Sequence, residues 1–114
     1  MTDRIFKQHN IFPARLIDPS VIIGRNVRIG VGSIVCAGTV LTINCVLEEH
    51  TIINLNCTIG HDTVLETCCT VQPGSNISGK VRVGCCTDVG TGTKIIQGLS
   101  IAPKTVLGAG AVII

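Results

Sequence analysis

Aliphatic residues recur at every sixth position of the chain, from Ile23 to Ile113. All sixteen of these positions hold Ile, Leu or Val, and no insertion interrupts the series. The residue two places earlier is small in fifteen of the sixteen hexads, Leu99 being the exception. A period of six fits neither the 3.6-residue period of an α-helix nor the two-residue period of a simple strand.

The period predicts short strands joined by tight corners. Residues i−2 and i share one face of a strand, so a small and an aliphatic side chain would point inward together. The next position is Gly in six hexads, where a corner requires a tolerant backbone. Three strands close a triangular coil of eighteen residues, and stacked coils form parallel strands ~4.8 Å apart. We therefore predict an all-β parallel β-helix over residues 21–114, after an irregular lead-in over residues 1–20 that contains Pro13 and Pro19.

The composition fits a narrow interior, because the 114 residues include two Phe and neither Tyr nor Trp. No uncharged apolar run approaches the ~18–20 residues of a membrane span, and the first twenty residues lack the apolar segment of a signal peptide. The net charge of +2, with scattered Lys and Arg, does not favour nucleic acid as a partner. The seven cysteines fit no zinc spacing, so we expect reduced thiols, no metal and a cytoplasmic location.

The last residues of the sequence, 111–114, fall in mid-repeat. An open solenoid end exposes apolar side chains and unpaired backbone groups. We therefore expect a further segment or a partner protein to cover this end.

The repeat (Leu/Ile/Val)-Gly-x-x-(Ser/Thr/Ala/Val)-x resembles that of the hexapeptide-repeat acyltransferases. Residues 12–114 are similar to the β-helix domain of sialic acid and bacterial amino-sugar acetyltransferases. The matching stretches are Phe12-Pro13, Asp18-Pro19-Ser20, Ile53-Asn54, Gly60-His61-Asp62 and Leu107-Gly108-Ala109-Gly110-Ala111. The resemblance implies a left-handed coil and transfer of an acyl group, usually acetyl, from acyl-CoA to an amine or hydroxyl of a sugar-like or other small acceptor.

Histidine is the natural base for such a transfer near neutral pH. The resemblance places the catalytic base at His61, and the adjacent Asp62 could orient its imidazole. The alternative is an exposed corner histidine beside an acid. Gly79, eighteen residues on, is expected to leave space above the imidazole for a substrate. For His9, in the lead-in, and His50, at a corner, we expect surface positions.

The resemblance also implies roles for residues on other coils. Asn54 matches an Asn near the acceptor site, although a corner conformation explains it equally well. Thr70 stands where relatives place a second His that contacts the acetyl group. Thr can donate a hydrogen bond there but is not a base, so stabilisation of the oxyanion would be poorer. The resemblance assigns coenzyme contacts to Gly79, Thr91 and Ala109, and Lys104 could meet a phosphate.

Asn54 and His61 are seven residues apart and so fall on neighbouring sides of the prism. A threefold neighbour could bring Asn54 of one subunit toward His61 of another, and we therefore expect a homotrimer. Cys68 and Cys86 are eighteen residues apart and should stack on adjacent coils. We expect them to form a thiol pair rather than a disulfide or a metal site.

Two functions compete at this point. The first is acetyl-CoA-dependent acyl transfer with His61 as general base; the second is a non-catalytic trimeric β-helix module derived from such an enzyme. Relatives carry a nucleotide-sugar-binding domain that does not occur within these 114 residues, so we expect this chain to bind coenzyme but to acetylate nucleotide amino-sugars slowly or not at all. A metal hydratase of the γ-carbonic anhydrase kind is excluded, because His9 and His50 are too far from His61 to share a three-histidine site.

Overall fold

The structure, a computed structural model, describes residues 13–114 and there consists of seventeen two-residue strands that follow one another every six residues. No helix that could span a membrane occurs in this part of the chain. In chain order the strands are β1 Leu16–Ile17, β2 Ile22–Ile23, β3 Arg28–Ile29, β4 Ile34–Val35, β5 Val40–Leu41, β6 Val46–Leu47, β7 Ile52–Ile53, β8 Thr58–Ile59, β9 Val64–Leu65, β10 Thr70–Val71, β11 Asn76–Ile77, β12 Arg82–Val83, β13 Asp88–Val89, β14 Lys94–Ile95, β15 Ser100–Ile101, β16 Val106–Leu107 and β17 Val112–Ile113.

The strands form the three faces of a prism. Face 1 has the order β1-β4-β7-β10-β13-β16, face 2 has β2-β5-β8-β11-β14-β17, and face 3 has β3-β6-β9-β12-β15. Each strand pairs in parallel with the strand one coil away, and the register is eighteen residues throughout, as in Thr70 with Asp88. The predicted β-helix with eighteen-residue coils is confirmed. We name the edges between the faces corner 1–2, corner 2–3 and corner 3–1.

Two positions of each hexad fill the interior. The second residue of each strand points inward, and Leu41, Ile59 and Val89 are fully buried. The small residue two places earlier is buried as well, and it also donates a hydrogen bond. The Oγ1 of Thr63, for example, donates to the carbonyl of Ser78 at 2.9 Å. The same bond, fifteen residues forward to a corner of the next coil, recurs at Ser33, Thr39, Cys45, Cys57, Cys69, Ser75, Thr87 and Thr93.

The corner positions stack in columns with a spacing of eighteen residues. Each corner from Asn26 onward contains one residue with left-handed backbone, such as Asn44 (φ 59°) or Asp62 (φ 58°). Its amide donates to a carbonyl of the preceding coil, as Asp62 does to Ile43 at 3.0 Å. Asn is well suited to this conformation, whereas a β-branched residue is not.

The glycine that follows the aliphatic residue of the repeat does not have the predicted role, which was to adopt the corner conformation. Gly60 follows the inward aliphatic residue of its hexad and does not have positive φ. A Cβ at this position would lie 2.5 Å from the amide nitrogen of Gly79 in the next coil. The glycine is required because two coils approach closely there, and the left-handed residue comes two places later.

The first described strand lies in the segment predicted as an irregular lead-in. β1 pairs with β4 in the same register as the later strands, so the coil begins before residue 21. Ile17 is six residues before Ile23 and continues the aliphatic series, but Arg15 at the small position and Pro19 at the corner obscure the repeat. Phe12 and His9 lie outside the described residues.

Candidate active site

His61 and Asp62 lie at corner 2–3, between β8 and β9. The Nδ1 atom of His61 is 2.9 Å from Oδ2 of Asp62. Both side chains are a little under half exposed, at 43% and 45%. The pair is therefore open to a ligand and is held together by a direct hydrogen bond.

Asp62 belongs to a column of polar side chains at this corner. The Nδ2 of Asn26 donates to Oδ1 of Asn44 at 3.3 Å, and Asn44 precedes Asp62 by one coil in the same column. The hydrogen bond from His61, followed by that from Asn44 and by the charge of Lys80, holds the pKa of Asp62 below its usual value. Asp62 is thus ionised at neutral pH and accepts a hydrogen bond from the Nδ1–H group of His61. The basic nitrogen of a neutral His61 imidazole is then Nε2.

Gly79 makes room for this imidazole. It is buried in the same column as His61, one coil further along. A Cβ on Gly79 would lie 2.7 Å from Cδ2 and 2.8 Å from Cε1 of the ring, and closer still to Nε2. The space predicted for a substrate is therefore occupied by the imidazole itself. Contact of Gly79 with a coenzyme stays a prediction.

Asn54 lies at corner 1–2, after β7, and is half-buried. Its Nδ2 donates to Oε1 of Gln72 at 3.4 Å, and the Nε2 of Gln72 donates to Oδ1 of Asp88 at 3.2 Å. Within one chain, Asn54 and His61 thus occupy different corners, as their spacing predicts. Sequence reasoning missed Gln72 and Asp88. The eighteen-residue spacing could have placed Gln72 next to Asn54, but the contact of Gln72 with Asp88 is diagonal and has no signal in the repeat.

Thr70 is the outward residue of β10 on face 1, where it pairs with Ile52 on one side and Asp88 on the other. Face 1 is the side of the prism opposite corner 2–3. The threonine therefore cannot approach the His61 imidazole of its own chain.

Thr91 and Ala109 are exposed and stack one coil apart at corner 1–2. Glycines flank both of them: Gly90, Gly92, Gly108 and Gly110. A Cβ built on Gly92 would have no neighbour within 4 Å, and Thr91, Ala109 and these glycines form a strip without large side chains at this corner. Lys104 is exposed at corner 3–1 and is not brought to the strip.

Within residues 13–114, no cluster of three His, Cys, Asp or Glu side chains is arranged to hold a metal ion.

No protein-family model and no curated protein sequence matches the chain significantly. Solved structures do match. The acetyltransferase domain of PglB from Neisseria gonorrhoeae is 31% identical with a TM-score of 0.89, over 98% of this chain and 58% of that one. PerB from Caulobacter crescentus, solved with CoA and GDP-perosamine, is 31% identical with a TM-score of 0.95, over 99% of this chain and 55% of that one.

The PglB domain has also been solved with acetyl coenzyme A; that structure is 29% identical with a TM-score of 0.83, over 97% of this chain and 60% of that one. The chain thus spans somewhat more than half the length of the structures that it matches. The match extends over nearly every coil of this chain, and the resemblance predicted from the repeat is confirmed. By repeat and by fold, the chain is a hexapeptide-repeat β-helix of the kind carried by sugar acetyltransferases.

Proposed function

We propose that this chain transfers an acetyl group from acetyl-CoA to the amine of a sugar, with His61 as general base. The observation that carries the proposal is the hydrogen bond from His61 to an ionised Asp62, which leaves Nε2 free to accept a proton. The matched relatives support the choice of reaction, since one was solved with acetyl coenzyme A and another with CoA and an amino-sugar nucleotide. Two histidine variants of the perosamine N-acetyltransferase were solved as well, so a histidine is a position of interest in that protein.

In this mechanism Nε2 of His61 takes a proton from the acceptor nitrogen as that nitrogen attacks the thioester carbonyl. Asp62 stabilises the imidazolium that forms and keeps the ring in place. The imidazolium then returns the proton to the departing sulfur. A positioned base of this kind contributes about 10²–10⁴-fold to the rate.

The remaining predicted residues can join His61 only from another chain. His61 lies at corner 2–3, whereas Asn54 and Thr70 lie at corner 1–2 and on face 1. Rotation about an axis parallel to the solenoid axis does not change the position of a residue along that axis. In a ring of chains related by such a rotation, Asn54 and Thr70 of a neighbour lie within about 2.5 Å of His61 along the axis. A homotrimer in which corner 2–3 meets corner 1–2 of the next chain would therefore complete the site.

The same arrangement of chains would also provide a binding site for the coenzyme. Thr91 and Ala109 of the neighbour would stand about 8 and 13 Å further along the axis than His61. The glycine-lined strip around them leaves backbone amides and carbonyls open to an extended pantetheine arm. These residues fit acetyl-CoA, which supplies the activated acetyl group. The long axis of the coenzyme would lie parallel to the solenoid.

The experiment combines calorimetric titration of the 114-residue chain with acetyl-CoA and detection of the acetylated acceptor by mass spectrometry. Detection of the acceptor avoids interference from the seven protein thiols. His61→Asn should lower transfer by about 10²–10⁴-fold while coenzyme affinity stays within threefold. Coenzyme binding with no transfer to any amino sugar would favour the non-catalytic module. The observation that favours this alternative is Thr70, which stands where the resemblance places a second His. Full activity of His61→Asn would show that the base is misassigned.

Mixing two inactive variants tests whether the active site is formed by residues of two chains. A mixture of Asn54→Ala and His61→Ala chains should regain activity after subunit exchange, because some interfaces then pair an intact His61 with an intact Asn54. Equal inactivity of the mixture and of the separate variants would place the site within one chain. A monomer by light scattering at micromolar concentration would exclude the trimer.

A further inference from the structure

Corner 3–1 carries a column of left-handed residues that the proposed reaction does not use. It runs Gly32, His50, Cys68, Cys86 and Lys104, with φ between 57° and 76°. The strands on both sides of this corner are in register, since Val64 pairs with Arg82 before it and Thr70 pairs with Asp88 after it. Cys68 therefore lies directly below Cys86.

The two thiols are close enough to react with each other. Residues stacked in register on adjacent parallel coils have Cα atoms about 4.8 Å apart, within the 4.4–6.8 Å span of disulfides. Both cysteines have nearly the same φ, 63° and 57°, so their side chains leave the backbone in the same direction. Burial, and then the charge and the hydrogen bond of Cys86, raise the pKa of the Cys68 thiol, in keeping with this stacking.

The other five cysteines have no such partner. Cys45, Cys57 and Cys69 point inward, are buried, and donate to backbone carbonyls. Cys85 stacks between Thr67 and Pro103, and Cys36 between Asp18 and Asn54. Cys68 and Cys86 are the two that the structure leaves exposed.

We propose that Cys68 and Cys86 form an oxidisable dithiol, which exchanges with a low-molecular-weight disulfide to give an intrachain disulfide between adjacent coils. The thiolate of Cys68 or Cys86 attacks one sulfur of the small disulfide and releases one small thiol. The second cysteine then attacks the protein sulfur of this mixed disulfide and releases the other small thiol. Two protein thiols are oxidised, and one small disulfide is reduced to two thiols.

This site is separate from the proposed active site. In the trimer proposed above, corners 1–2 and 2–3 meet between chains, so that face 2 turns toward the axis and corner 3–1 points outward. The dithiol would be accessible in that assembly and equally so in a monomer. Its test therefore does not depend on the acetyl transfer.

The experiment is equilibration of the reduced chain with excess oxidised glutathione at pH 8.5, followed by intact mass and thiol counting in denaturant. We expect the thiol count to fall by two and the mass to fall by about 2 Da, with no glutathione retained. A tryptic digest should then contain residues 29–80 joined to residues 83–94. Cys85→Ser is the matched control, since it removes the adjacent thiol and should leave the cross-link intact.

Cys68→Ser and Cys86→Ser should each abolish the cross-link and instead retain one glutathione on the remaining cysteine. Loss of the cross-link in Cys85→Ser, with retention in Cys68→Ser, would overturn the assignment. So would seven free thiols in the treated wild-type chain. Stable glutathione adducts on the wild-type chain would do so too, because they would show that the second exchange step does not occur.

Discussion

Replacement of Gly79 by alanine tests whether the position of the His61 imidazole limits acetyl transfer. The added methyl group would lie 2.7 Å from Cδ2 and 2.8 Å from Cε1 of the ring. Carbon atoms in ordinary contact are about 3.5–4.0 Å apart, so the ring must move by about 1 Å. Gly79 does not have positive φ, and alanine is therefore compatible with its backbone.

A displacement of about 1 Å at a reacting group can lower the rate by about 10²-fold. We expect that loss in kcat/KM for Gly79→Ala, measured as acetylated acceptor, and a fall in acetyl-CoA affinity by calorimetry would report the predicted coenzyme contact of Gly79. The stability should fall by about 1 kcal/mol, at the low end for an overpacked site, because the ring is 43% exposed and can swing toward solvent. Urea denaturation followed by circular dichroism would measure this loss.

The double variant with His61→Ala is the control. If the methyl group collides only with the imidazole, Gly79→Ala should cost no stability once the imidazole is absent. Wild-type activity of Gly79→Ala would refute the reasoning, since the ring would then not need its present position. An equal loss of stability with and without His61 would show that the methyl group meets some other part of the coil.

Three further predictions follow from the same structure. Asp62→Asn should remove a stabilising effect that is present above about pH 4 and is lost as the pH falls through the lowered pKa of Asp62, so the difference between the wild type and the variant in urea denaturation should narrow as the pH is lowered below about 4. Thr63→Val should lower the free energy of unfolding by about 1–3 kcal/mol, since the carbonyl of Ser78 loses its donor and the buried amide of Val81 loses its acceptor; an unchanged denaturation midpoint would contradict this. Burial raises the pKa of Cys69 to about 11, so in chains purified under reducing conditions this thiol should react with a disulfide reagent at pH 8 only after denaturation, when all seven should react.

The fold follows almost entirely from the period of the sequence. A series without insertions fixes which residues point inward and which stack, and for this reason the columns of His61 with Gly79 and of Cys68 with Cys86 could be predicted. The chemistry of the inward small residues could not be read from their size. Ser, Thr and Cys were interpreted as small side chains, whereas Thr63 and its equivalents also donate to carbonyls of the next coil.

The candidate site was less predictable, because stacking does not determine how a side chain rotates. The sequence places Gly79 next to His61 but does not show that the imidazole fills the space above it. Asn54 is connected to Asp88 through hydrogen bonds of Gln72. This connection depends on the long side chain of Gln72, which extends from its own column to that of Asp88. Thr70 lies on the side of the prism opposite His61, so the two can meet only in the proposed homotrimer, which the repeat of one chain does not describe.

The forward hydrogen bonds of the inward residues have a consequence for how the solenoid opens. Each bond joins a coil only to the one that follows it, so cooperativity passes from neighbour to neighbour as in a one-dimensional array. Coils with a neighbour on both sides must break two such interfaces to unfold locally, and their amides should exchange with solvent most slowly. His61 follows the fully buried Ile59 in one of these coils. The proposed base thus lies in a part of the chain whose slow amide exchange would report the stability of the whole array.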